Sequence, residues 1–382
     1  MKLITMKIYY WCPYLTNIAT IKSVIKSAKS ITKYSIIKKE KNEVTILNSC
    51  GEWDFLKNNL YNIKINNLIP LSIYKFIPKE GFIQSRFSFL VIFFTNFFPL
   101  LFEVKINKPK FLIVHLLTIL PIILSPFLSK NTKIILRISG LPRLTAFRKF
   151  IWKSFSKYIY VVTAPTQITR DLLIESKIFE ENKIKLLRDP IIEYEEIKEK
   201  KNINIDNNFN DFKFYLSIGR LTKQKNFTFL IKMFSKHYKN FKINKLLIIG
   251  DGEEKNKLLN MIKKNKMENN IFLLGFKKNV YNYINSCEGI ISAAEYEDPG
   301  FVLIEGAYLK KKIISSLVEN GPLEMKKNGD FCYFYKFNNE LEFLNSIKNS
   351  EENNSIKTIK ALKYAKKFSM FSHFKNLNKI LK

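Results

Sequence analysis

The amino-acid sequence predicts an α/β protein built from two doubly wound Rossmann-like units that face each other across a cleft. Three observations lead to this prediction. The chain has 382 residues, enough for two domains. Strand-like and helix-like segments alternate in both halves, and a polar, Asn-rich break at residues 191–210 separates the two series. We assign residues 1–190 to an N-terminal unit and 191–355 to a C-terminal unit. Residues 356–382 form C-terminal helices, for which packing back on the N-terminal unit is expected and packing on the other unit is the alternative.

The first series opens with a strand of β-branched and aromatic residues at 4–11, followed by helical periodicity over 20–31. Further short strands are predicted at 44–47, 111–114, 134–138, 158–163 and 184–187. Thr166 is the expected N-cap of the helix that follows Pro165. Strands and helices that alternate in this way form a parallel sheet covered on both faces.

The second series repeats the pattern, with strands predicted at 212–218, 246–249, 271–274, 289–292 and 313–316. Asn226 is the expected N-cap of a helix whose apolar residues recur at helical spacing. Ligands of such sheets bind at the carboxyl ends of the strands, so two facing units would build one site from both.

Two long apolar runs, residues 87–102 and 111–128, approach the length of a membrane-spanning helix. Proline and polar residues interrupt both runs. We interpret the first as a buried helix and the second as a buried strand, turn and helix, with a membrane span as the alternative. The segment before Trp11 is too short and too polar for a signal peptide, so no targeting segment is expected.

Composition excludes several classes of protein. Hydrophobic residues make up 46% of the chain, which is enough for a core and argues against intrinsic disorder. The four cysteines are isolated in the sequence. That spacing argues against a zinc ribbon, a redox motif and a secreted disulfide framework.

The formal net charge is +31, and no Asp or Glu occurs between Glu103 and Asp171, where basic residues are frequent. A basic face of this kind suits an anionic membrane surface. An AT-rich coding sequence would give the same Lys- and Asn-rich bias without any function, so both explanations stay open. The basic helix at 148–157 fits either a membrane-facing element or an ordinary helix packed on the sheet. Its predicted apolar side comprises Phe147, Ile151, Trp152 and Phe155.

The chemistry-bearing residues of the second half follow its strands. Arg220 and Lys225 lie five residues apart before a helix start, which makes an anion site suited to a diphosphate. Gly250-Asp251-Gly252 and Leu274-Gly275-Phe276 follow the next two strands, where glycine permits tight turns and close approach of a ligand. Each of these segments, taken alone, is also compatible with an ordinary turn.

The most specific segment is Glu297-Asp298-Pro299-Gly300-Phe301-Val302-Leu303-Ile304-Glu305. Asp298 is a good N-cap and Pro299 a good first helical residue, so a helix is predicted to start there. The amides of the three residues after Pro299 would then point out of the helix N-terminus. Glu305 is expected about 10 Å from the helix start, on the same face as Asp298. Alone, Glu305 would be an ordinary surface glutamate.

In this order and spacing, the residues resemble the family 4 retaining glycosyltransferases (group 1 glycosyl transferases) over about residues 212–325. The matching positions are Gly219, Arg220, Lys225, Gly250, Asp251, Gly252, Leu274, Gly275, Glu297, Pro299, Gly300, Phe301 and Glu305. The resemblance implies the GT-B fold, with an N-terminal domain for the acceptor and a C-terminal domain for a nucleotide sugar. It also implies a hexosyl- or N-acetylhexosaminyl-type transferase with a UDP- or GDP-sugar as co-substrate and no other cofactor.

The resemblance implies a role for each matching residue. Arg220 and Lys225 would hold the diphosphate in place of a divalent metal, and Glu297 would contact the sugar hydroxyls, so these three are the catalytic candidates. The donor-binding candidates are Gly219, Gly250, Asp251, Phe276, Gly300, Phe301, Val302, Leu303 and Glu305, with Phe276 near the base and Glu305 on the ribose. No metal site is expected, in agreement with the absence of an Asp-x-Asp motif. Retention would follow from front-face attack, which needs no protein nucleophile.

The N-terminal half fits the family pattern more loosely. Tyr14-Leu15-Thr16-Asn17 stands where a Gly-rich turn is common, and Asn17 is its best candidate contact. Arg137-Ile138-Ser139-Gly140 replaces a histidine-containing pair, so Arg137 is a candidate for phosphate and Ser139 for the acceptor side. His115 is either a contact to the sugar or a structural histidine.

Many relatives extend surface polysaccharides on lipid carriers, and a lipid-linked saccharide acceptor would explain the basic face. The expected activity is therefore sugar transfer in bacterial surface polysaccharide or glycolipid synthesis. We expect a cytoplasmic protein, peripheral on the inner face of the plasma membrane, with no nucleic-acid partner. Two alternatives stay open. One is a basic nucleic-acid-binding protein that uses the +31 charge, and the other is an inactive transferase-like subunit of an assembly.

Overall fold

The computed structural model describes residues 5–16, 19–37, 40–56, 62–79, 82–140, 144–209, 211–352 and 355–382. The chain divides into two compact units, Met1–Pro190 with Met370–Lys382, and Ile191–Ser369. We refer to them as the N-terminal and the C-terminal unit. The boundary between the two units falls after Pro190, and the helices Ser355–Ala365 and Met370–Leu381 belong to different units.

The N-terminal unit contains a parallel sheet with helices on both faces. Its strands are β1 Thr5–Trp11, β2 Lys41–Asn48, β3 Ile63–Asn67, β4 Phe111–Val114, β5 Lys133–Arg137, β6 Ile159–Ala164 and β7 Ile184–Leu186. Its helices up to Pro190 are α1 Ala19–Ile37, α2 Phe82–Asn107, α3 Ile119–Leu124, α4 Ala146–Phe155 and α5 Gln167–Glu175. The strand order is β3-β2-β1-β4-β5-β6-β7, and every pairing is parallel.

The C-terminal unit repeats this architecture. Its strands are β8 Tyr215–Ile218, β9 Leu246–Ile249, β10 Ile271–Leu273, β11 Gly289–Ser292, β12 Lys312–Leu317 and β13 Tyr333–Lys336. Its helices are α6 Tyr194–Lys200, α7 Phe227–His237, α8 Lys255–Lys264, α9 Tyr281–Ser286, α10 Phe301–Tyr308, α11 Gly321–Lys327, α12 Glu340–Glu351 and α13 Ser355–Ala365. The order is β10-β9-β8-β11-β12-β13, again all parallel.

The central strands are apolar on both faces because helices cover the sheets from both sides. Every residue of β4 and of β9 is buried. The second long apolar run is the strand β4 followed by α3, whose side chains are largely buried, as expected. The predicted N-cap of α5 is confirmed, since the Thr166 hydroxyl accepts a hydrogen bond from the Thr169 amide at 3.2 Å. The predicted side-chain cap of α7 is wrong. Asn226 adopts a left-handed backbone conformation, and its side-chain amide donates a hydrogen bond to Oδ1 of Asn338 instead.

The first long apolar run forms α2, but the expectation that this helix is buried is wrong for its outer face. Among the described residues, α2 is the helix that is long and apolar enough to cross a membrane, and only 28% of its most apolar 18-residue window is buried. Ile92 and Leu100 pack into the unit, whereas Phe94 is 70% exposed. Similarly, Trp152 of α4 is buried while Phe147 is 63% exposed, so the predicted apolar side of α4 is only partly covered.

The last helix, α14 Met370–Leu381, packs on α1 of the N-terminal unit. His373 connects them: one ring nitrogen lies 2.8 Å from the Ser27 hydroxyl and the other lies 2.6 Å from the Arg188 carbonyl. The Ser27 hydroxyl lies in turn 2.9 Å from the Tyr10 hydroxyl of β1. Burial, reinforced by the nearby Arg137 guanidinium, lowers the pKa of His373 to about 4, so the ring is neutral at pH 7.

This depressed pKa makes the N-terminal unit sensitive to acid. An unfolded histidine binds its proton near pH 6.5, so between pH 6.5 and 4 the unfolded chain binds more protons and stability falls as pH falls. We expect His373 to contribute a loss of about 2 kcal/mol between pH 7 and pH 5. Denaturant unfolding at a series of pH values measures this. The His373→Asn variant should show a shallower pH dependence than wild type, whereas Lys375→Asn, on the exposed side of the same helix, should not. Equal slopes for wild type and His373→Asn would contradict the assignment.

Candidate functional site

The sheet of the C-terminal unit changes its winding direction between β8 and β11, which are hydrogen-bonded neighbours although two strands separate them in sequence. In open parallel sheets, ligands bind outside the carboxyl ends of the strands at such a switch point. Residues 219–226 follow β8 and residues 293–300 follow β11. The main candidate residues of both loops therefore lie at one edge of the sheet.

Polar contacts join these two loops. The Lys225 ammonium lies 2.5 Å from Oε1 of Glu297. Next to it, the Gln224 carbonyl accepts a hydrogen bond from the Glu295 amide at 2.9 Å, and Nε2 of Gln224 donates to the Tyr296 carbonyl at 3.1 Å. The side chains of the ion pair remain 21% and 16% exposed. A cation and a carboxylate are thus held side by side at the switch point and within reach of solvent.

The turn after β8 is supported by the turn after β9. The Leu221 amide donates to the Asp251 carbonyl at 2.9 Å. A Cβ atom added at Gly250 would lie 1.8 Å from the Gly219 carbonyl oxygen, so this close approach requires glycine. The glycine-rich segment after β9 therefore positions the loop that carries Arg220, an exposed residue.

The side chains of Asp251 and Phe276 both extend into solvent. Asp251 accepts hydrogen bonds from the Gly252 amide at 2.8 Å and from Lys255 at 3.2 Å, and these lower the pKa of its carboxyl. Its side chain is 55% exposed. The Phe276 ring is 71% exposed beyond the end of β10, which leaves an open aromatic face there.

Helix α10 starts later than predicted. It begins at Phe301 with Gly300 as its N-cap at φ +87°, so the expected N-cap role of Asp298 is wrong. The physical reason is a longer-range contact. The Glu297 carbonyl accepts a hydrogen bond from the Gly321 amide at 2.9 Å, which ties this part of the loop to the segment after β12. Only beyond this contact does the chain turn into a helix.

The N-terminus of α10 presents backbone amides. Its first intrahelical hydrogen bond runs from the Ile304 amide to the Gly300 carbonyl at 3.1 Å. The amides of Phe301, Val302 and Leu303 therefore have no intrahelical acceptor and point out of the helix. Together with the helix dipole, they favour an anion at this end.

Glu305 lies one turn into α10, about 6 Å along the axis from Phe301. The expected 10 Å from the helix start is wrong because the helix starts later. Glu305 is also not a surface residue, since it is 5% exposed, and the Tyr281 hydroxyl donates to its Oε1 at 3.3 Å. Burial and this carboxylate raise the pKa of Tyr281 well above its usual range, so the hydroxyl remains a donor.

The candidates of the N-terminal unit lie in different environments. Asn17 is outside the described residues. Arg137 is 2% exposed, pairs with Asp189 at 2.6 Å and donates to the Leu187 carbonyl, so it is a structural ion pair rather than the phosphate contact suggested by the sequence. The Ser139 hydroxyl, just after β5, is buried and has no hydrogen-bond partner within the described ranges.

His115 follows β4 and is 4% exposed. Its ring stacks on Tyr10 with centroids 6.1 Å apart, and neither ring nitrogen has a hydrogen-bond partner in the described part of the chain. Burial, with Arg137 and His373 nearby, holds the pKa of His115 well below its usual range. The imidazole is therefore neutral at physiological pH.

Sequence reasoning missed two residues at the switch point. The contacts of Gln224 are to a loop 72 positions away, and its position next to Lys225 is the sequence signal that marks it. Asn320 is 2% exposed and pairs with Glu297 in a short parallel bridge, and its Oδ1 has no partner among the described residues. The Asn-Gly-Pro run after the predicted strand at 313–316 is the turn signal that marks it.

The arrangement suits a ligand with an anionic part and a hydroxyl-rich part. Cationic side chains and helix amides bind phosphate oxygens, and a carboxylate accepts hydrogen bonds from hydroxyls. No cluster of three or more potential metal-ligating His, Cys, Asp or Glu side chains occurs in the described ranges.

Comparison with known proteins finds similar glycosyltransferases. The family model described as glycosyl transferases group 1 matches residues 193–368. A glycosyltransferase of Methanocaldococcus jannaschii, itself uncharacterized, is 30% identical over 57% of this chain and 58% of its own length. Both comparisons show a similarity to glycosyl transferases. The family match covers the C-terminal unit with the Lys225–Glu297 pair and α10.

A second similar protein is an N-acetylgalactosamine-N,N'-diacetylbacillosaminyl-diphospho-undecaprenol 4-alpha-N-acetylgalactosaminyltransferase of Campylobacter jejuni. It is 31% identical over 38% of this chain and 39% of its own length. The matched regions thus span about four to six tenths of these curated relatives.

The solved structures extend the fold comparison to the whole chain. HepE of Anabaena, solved in complex with UDP and glucose, aligns over 98% of both chains with a TM-score of 0.69 and 12% identity. The predicted GT-B fold class, with two α/β units and parallel sheets, is confirmed.

The close contact between the turns after β8 and β9 predicts how strongly one added methyl group at Gly250 destabilises the C-terminal unit. Gly250→Ala places a Cβ against the Gly219 carbonyl and should lower the free energy of unfolding of the C-terminal unit by about 3 kcal/mol. Gly275→Ala is the matched control, because φ is +69° but no atom lies within 4 Å of the added Cβ. Its cost should be the backbone strain alone, about 1 kcal/mol. Denaturant unfolding compares the two, and equal losses would refute the proposed close approach.

Proposed function

We propose that the protein is a retaining glycosyltransferase that moves a sugar from a nucleoside-diphosphate donor to a lipid-linked saccharide, in surface polysaccharide or glycolipid synthesis. The observation that carries the proposal is the Lys225–Glu297 pair at the switch point of the C-terminal sheet, in the loops that precede α7 and α10. A nucleotide sugar carries a diphosphate next to a hydroxyl-bearing ring. The cation suits the first group and the carboxylate suits the second.

The donor diphosphate would bind Arg220, Lys225 and the amides at the N-terminus of α10. Arg220 is exposed in the turn after β8, where its side chain is accessible to an anion. The ribose would approach Glu305, and the open ring of Phe276 would lie beside the base. The fold shared with HepE, which was solved with UDP and glucose, supports a uridine diphosphate donor.

Binding of the diphosphate would draw Lys225 from its carboxylate partner toward the phosphate oxygens. Glu297 would then accept hydrogen bonds from the sugar hydroxyls. In the transfer, the bond between the anomeric carbon and the diphosphate oxygen breaks, and the diphosphate keeps the electron pair. The acceptor oxygen bonds to the same face of that carbon, and its proton passes to a leaving phosphate oxygen. Positive charge and helix amides stabilise the diphosphate as it gains charge.

We propose that this chemistry needs no divalent metal. Lys225 and Arg220 supply the charge that a metal ion would otherwise bring to the diphosphate. The test is donor binding in the presence of EDTA, which should be unchanged.

A lipid-linked acceptor is proposed on two grounds. The Campylobacter relative is named for transfer to a diphospho-undecaprenol-linked saccharide. In addition, the acid-free stretch between Glu103 and Asp171 lies in the N-terminal unit, where Lys149 and Lys153 of α4 are exposed. The reaction would take place at the inner face of the plasma membrane, because nucleotide sugars and lipid carriers are both accessible there.

The donor site predicts which nucleotide the protein recognises and through which side chain. In a thermal-shift panel of UDP-, GDP- and ADP-sugars, one nucleotide class, UDP in our proposal, should raise the melting temperature. Arg220→Ala should abolish that shift, because it removes a diphosphate cation. Lys223→Ala, an exposed lysine in the same loop, should keep it. An equal response of both variants would refute the assignment.

Turnover tests the second cation. Lys225→Ala should lower kcat by about 10²- to 10³-fold, as expected when a group that stabilises developing charge is removed. Release of nucleoside diphosphate from the donor, measured with a lipid-linked saccharide acceptor, gives the rate. A loss confined to KM would show that Lys225 only holds the donor in its ground state.

A further inference from the structure

Helix α2 carries a continuous apolar surface that faces solvent. The exposed residues recur every three or four positions, which keeps them along one side of the helix. They are Ile83, Phe87, Leu90, Phe94, Phe98, Phe102 and Ile106, each between 56% and 79% exposed. We call them the α2 stripe. The stripe extends over about 35 Å at the helical rise, and contiguous exposed apolar surfaces of this size mark interaction sites.

The opposite side of α2 is attached to the N-terminal unit. Ile92, Leu100 and Val104 are buried there, with 0%, 1% and 0% exposure. The Tyr9 hydroxyl of β1 also donates to Glu103 of α2 at 3.0 Å. A helix that is packed on the unit by one side over residues 92–104 cannot cross a bilayer without leaving the fold. The apolar composition of α2 therefore indicates a helix that lies in the plane of a surface.

Neighbouring elements continue the exposed apolar surface. Helix α2 contacts α3, and α3 contacts α4, so these helices form one layer on the sheet. Phe127, just after α3, is 58% exposed, and Phe147 and Phe150 of α4 are 63% and 68% exposed. The exposed aromatic rings of this layer thus extend beyond the α2 stripe.

The charged residues that follow the α2 stripe in the sequence, before Asp171, are basic. Within α2 the only acidic residue is Glu103, which is engaged by Tyr9 and Asn107. No acidic residue follows until Asp171. The exposed cations of this region are Lys105, Lys108, Lys130, Lys149, Lys153 and Lys157. Apolar aromatic rings together with lysines are the composition of helices that lie in the interface of anionic membranes.

We propose that the α2 stripe inserts into the outer part of an anionic phospholipid bilayer and anchors the protein as a monotopic membrane protein. This goes beyond the proposed function, because it assigns a membrane-binding surface that is separate from the donor site in the C-terminal unit. The rings of the stripe enter the acyl boundary, and the lysines of the same layer contact the lipid phosphates. The anchor holds the N-terminal unit at the surface from which a lipid-linked acceptor would be presented.

The alternative partner that would cover the α2 stripe is a second copy of the chain. Electrostatic repulsion disfavours such a dimer, because pairing two copies through this surface brings the α4 lysines of one copy close to those of the other. Like charges at that distance repel, whereas an anionic surface neutralises them. A bilayer also covers Phe127, Phe147 and Phe150 together with the stripe.

Vesicle binding tests the anchor. The full-length protein is mixed with vesicles of equal phosphatidylglycerol and phosphatidylcholine, or of phosphatidylcholine alone, and the bound fraction is measured by flotation. Wild type should bind the anionic vesicles more tightly. The double variant Phe94→Ser, Phe98→Ser should bind the anionic vesicles about 100-fold more weakly. It removes the favourable free energy of transferring two aromatic rings from water into the bilayer. Leu341→Ser with Ile359→Ser, residues that are 74% and 57% exposed on the C-terminal unit, is the control and should bind as wild type.

A fluorescence measurement locates the insertion. All three native tryptophans, Trp11, Trp53 and Trp152, are buried, so Phe94→Trp adds an exposed reporter. Lipids brominated near the headgroup end of the acyl chain should quench it more than lipids brominated near the bilayer centre. Stronger quenching at the centre would overturn the in-plane anchor.

Other outcomes also overturn the proposal. They are absence of binding to anionic vesicles, equal weakening by the control pair, and a dimer in light scattering that the Phe94→Ser, Phe98→Ser variant converts to a monomer. The nucleotide thermal shift of the same variant separates this proposal from the proposed function. If the variant keeps the nucleotide-induced rise in melting temperature but no longer binds vesicles, the result supports the anchor. If the protein binds vesicles but its melting temperature does not respond to any nucleotide sugar, only the proposed donor site is refuted.

Discussion

The ion pair between Lys225 and Glu297 is the contact on which the functional account depends. It joins the loops after β8 and β11, two strands that are neighbours only because the sheet changes winding direction between them. The two residues are 72 positions apart in the sequence, so the pair exists only in the folded unit. The same contact places a cation and a carboxylate where an anionic and a hydroxyl-rich group of one ligand can be bound together.

The rest of the C-terminal unit keeps these loops in place. Glycine after β9 allows the backbone of the β8 turn to approach closely, and the buried hydroxyl of Ser316 donates to the Ala294 carbonyl at 2.6 Å behind the β11 loop. Strands buried on both faces provide a rigid base for this edge. Such a base allows charged side chains to be held in a fixed geometry before a ligand arrives, which is the condition for electrostatic stabilisation of a leaving group.

The central strands and the order of the motifs could be predicted from the sequence, because segments such as β4 and β9 consist entirely of apolar residues. The edge strands β3 and β13 were missed, since they are short and half exposed and their patterns contain lysine and asparagine. The start of α10 was misplaced because a local capping rule does not include the Glu297–Gly321 hydrogen bond. Likewise, hydrophobicity showed that α2 is apolar but not which of its sides the fold covers. The contacts of Arg137 and His373 depend on residues that are 26 to 346 positions away along the chain.

The central claim is that the switch point of the C-terminal sheet binds the diphosphate of a nucleotide sugar without a metal ion. A crystal structure of the protein with UDP, grown in the presence of EDTA, tests it most directly. We predict that the diphosphate lies within about 3 Å of the Lys225 ammonium and of the amides at the N-terminus of α10, with Lys225 moved away from Glu297. Diphosphate bound at another edge of the chain, or bound only after a divalent cation is added, would contradict the account.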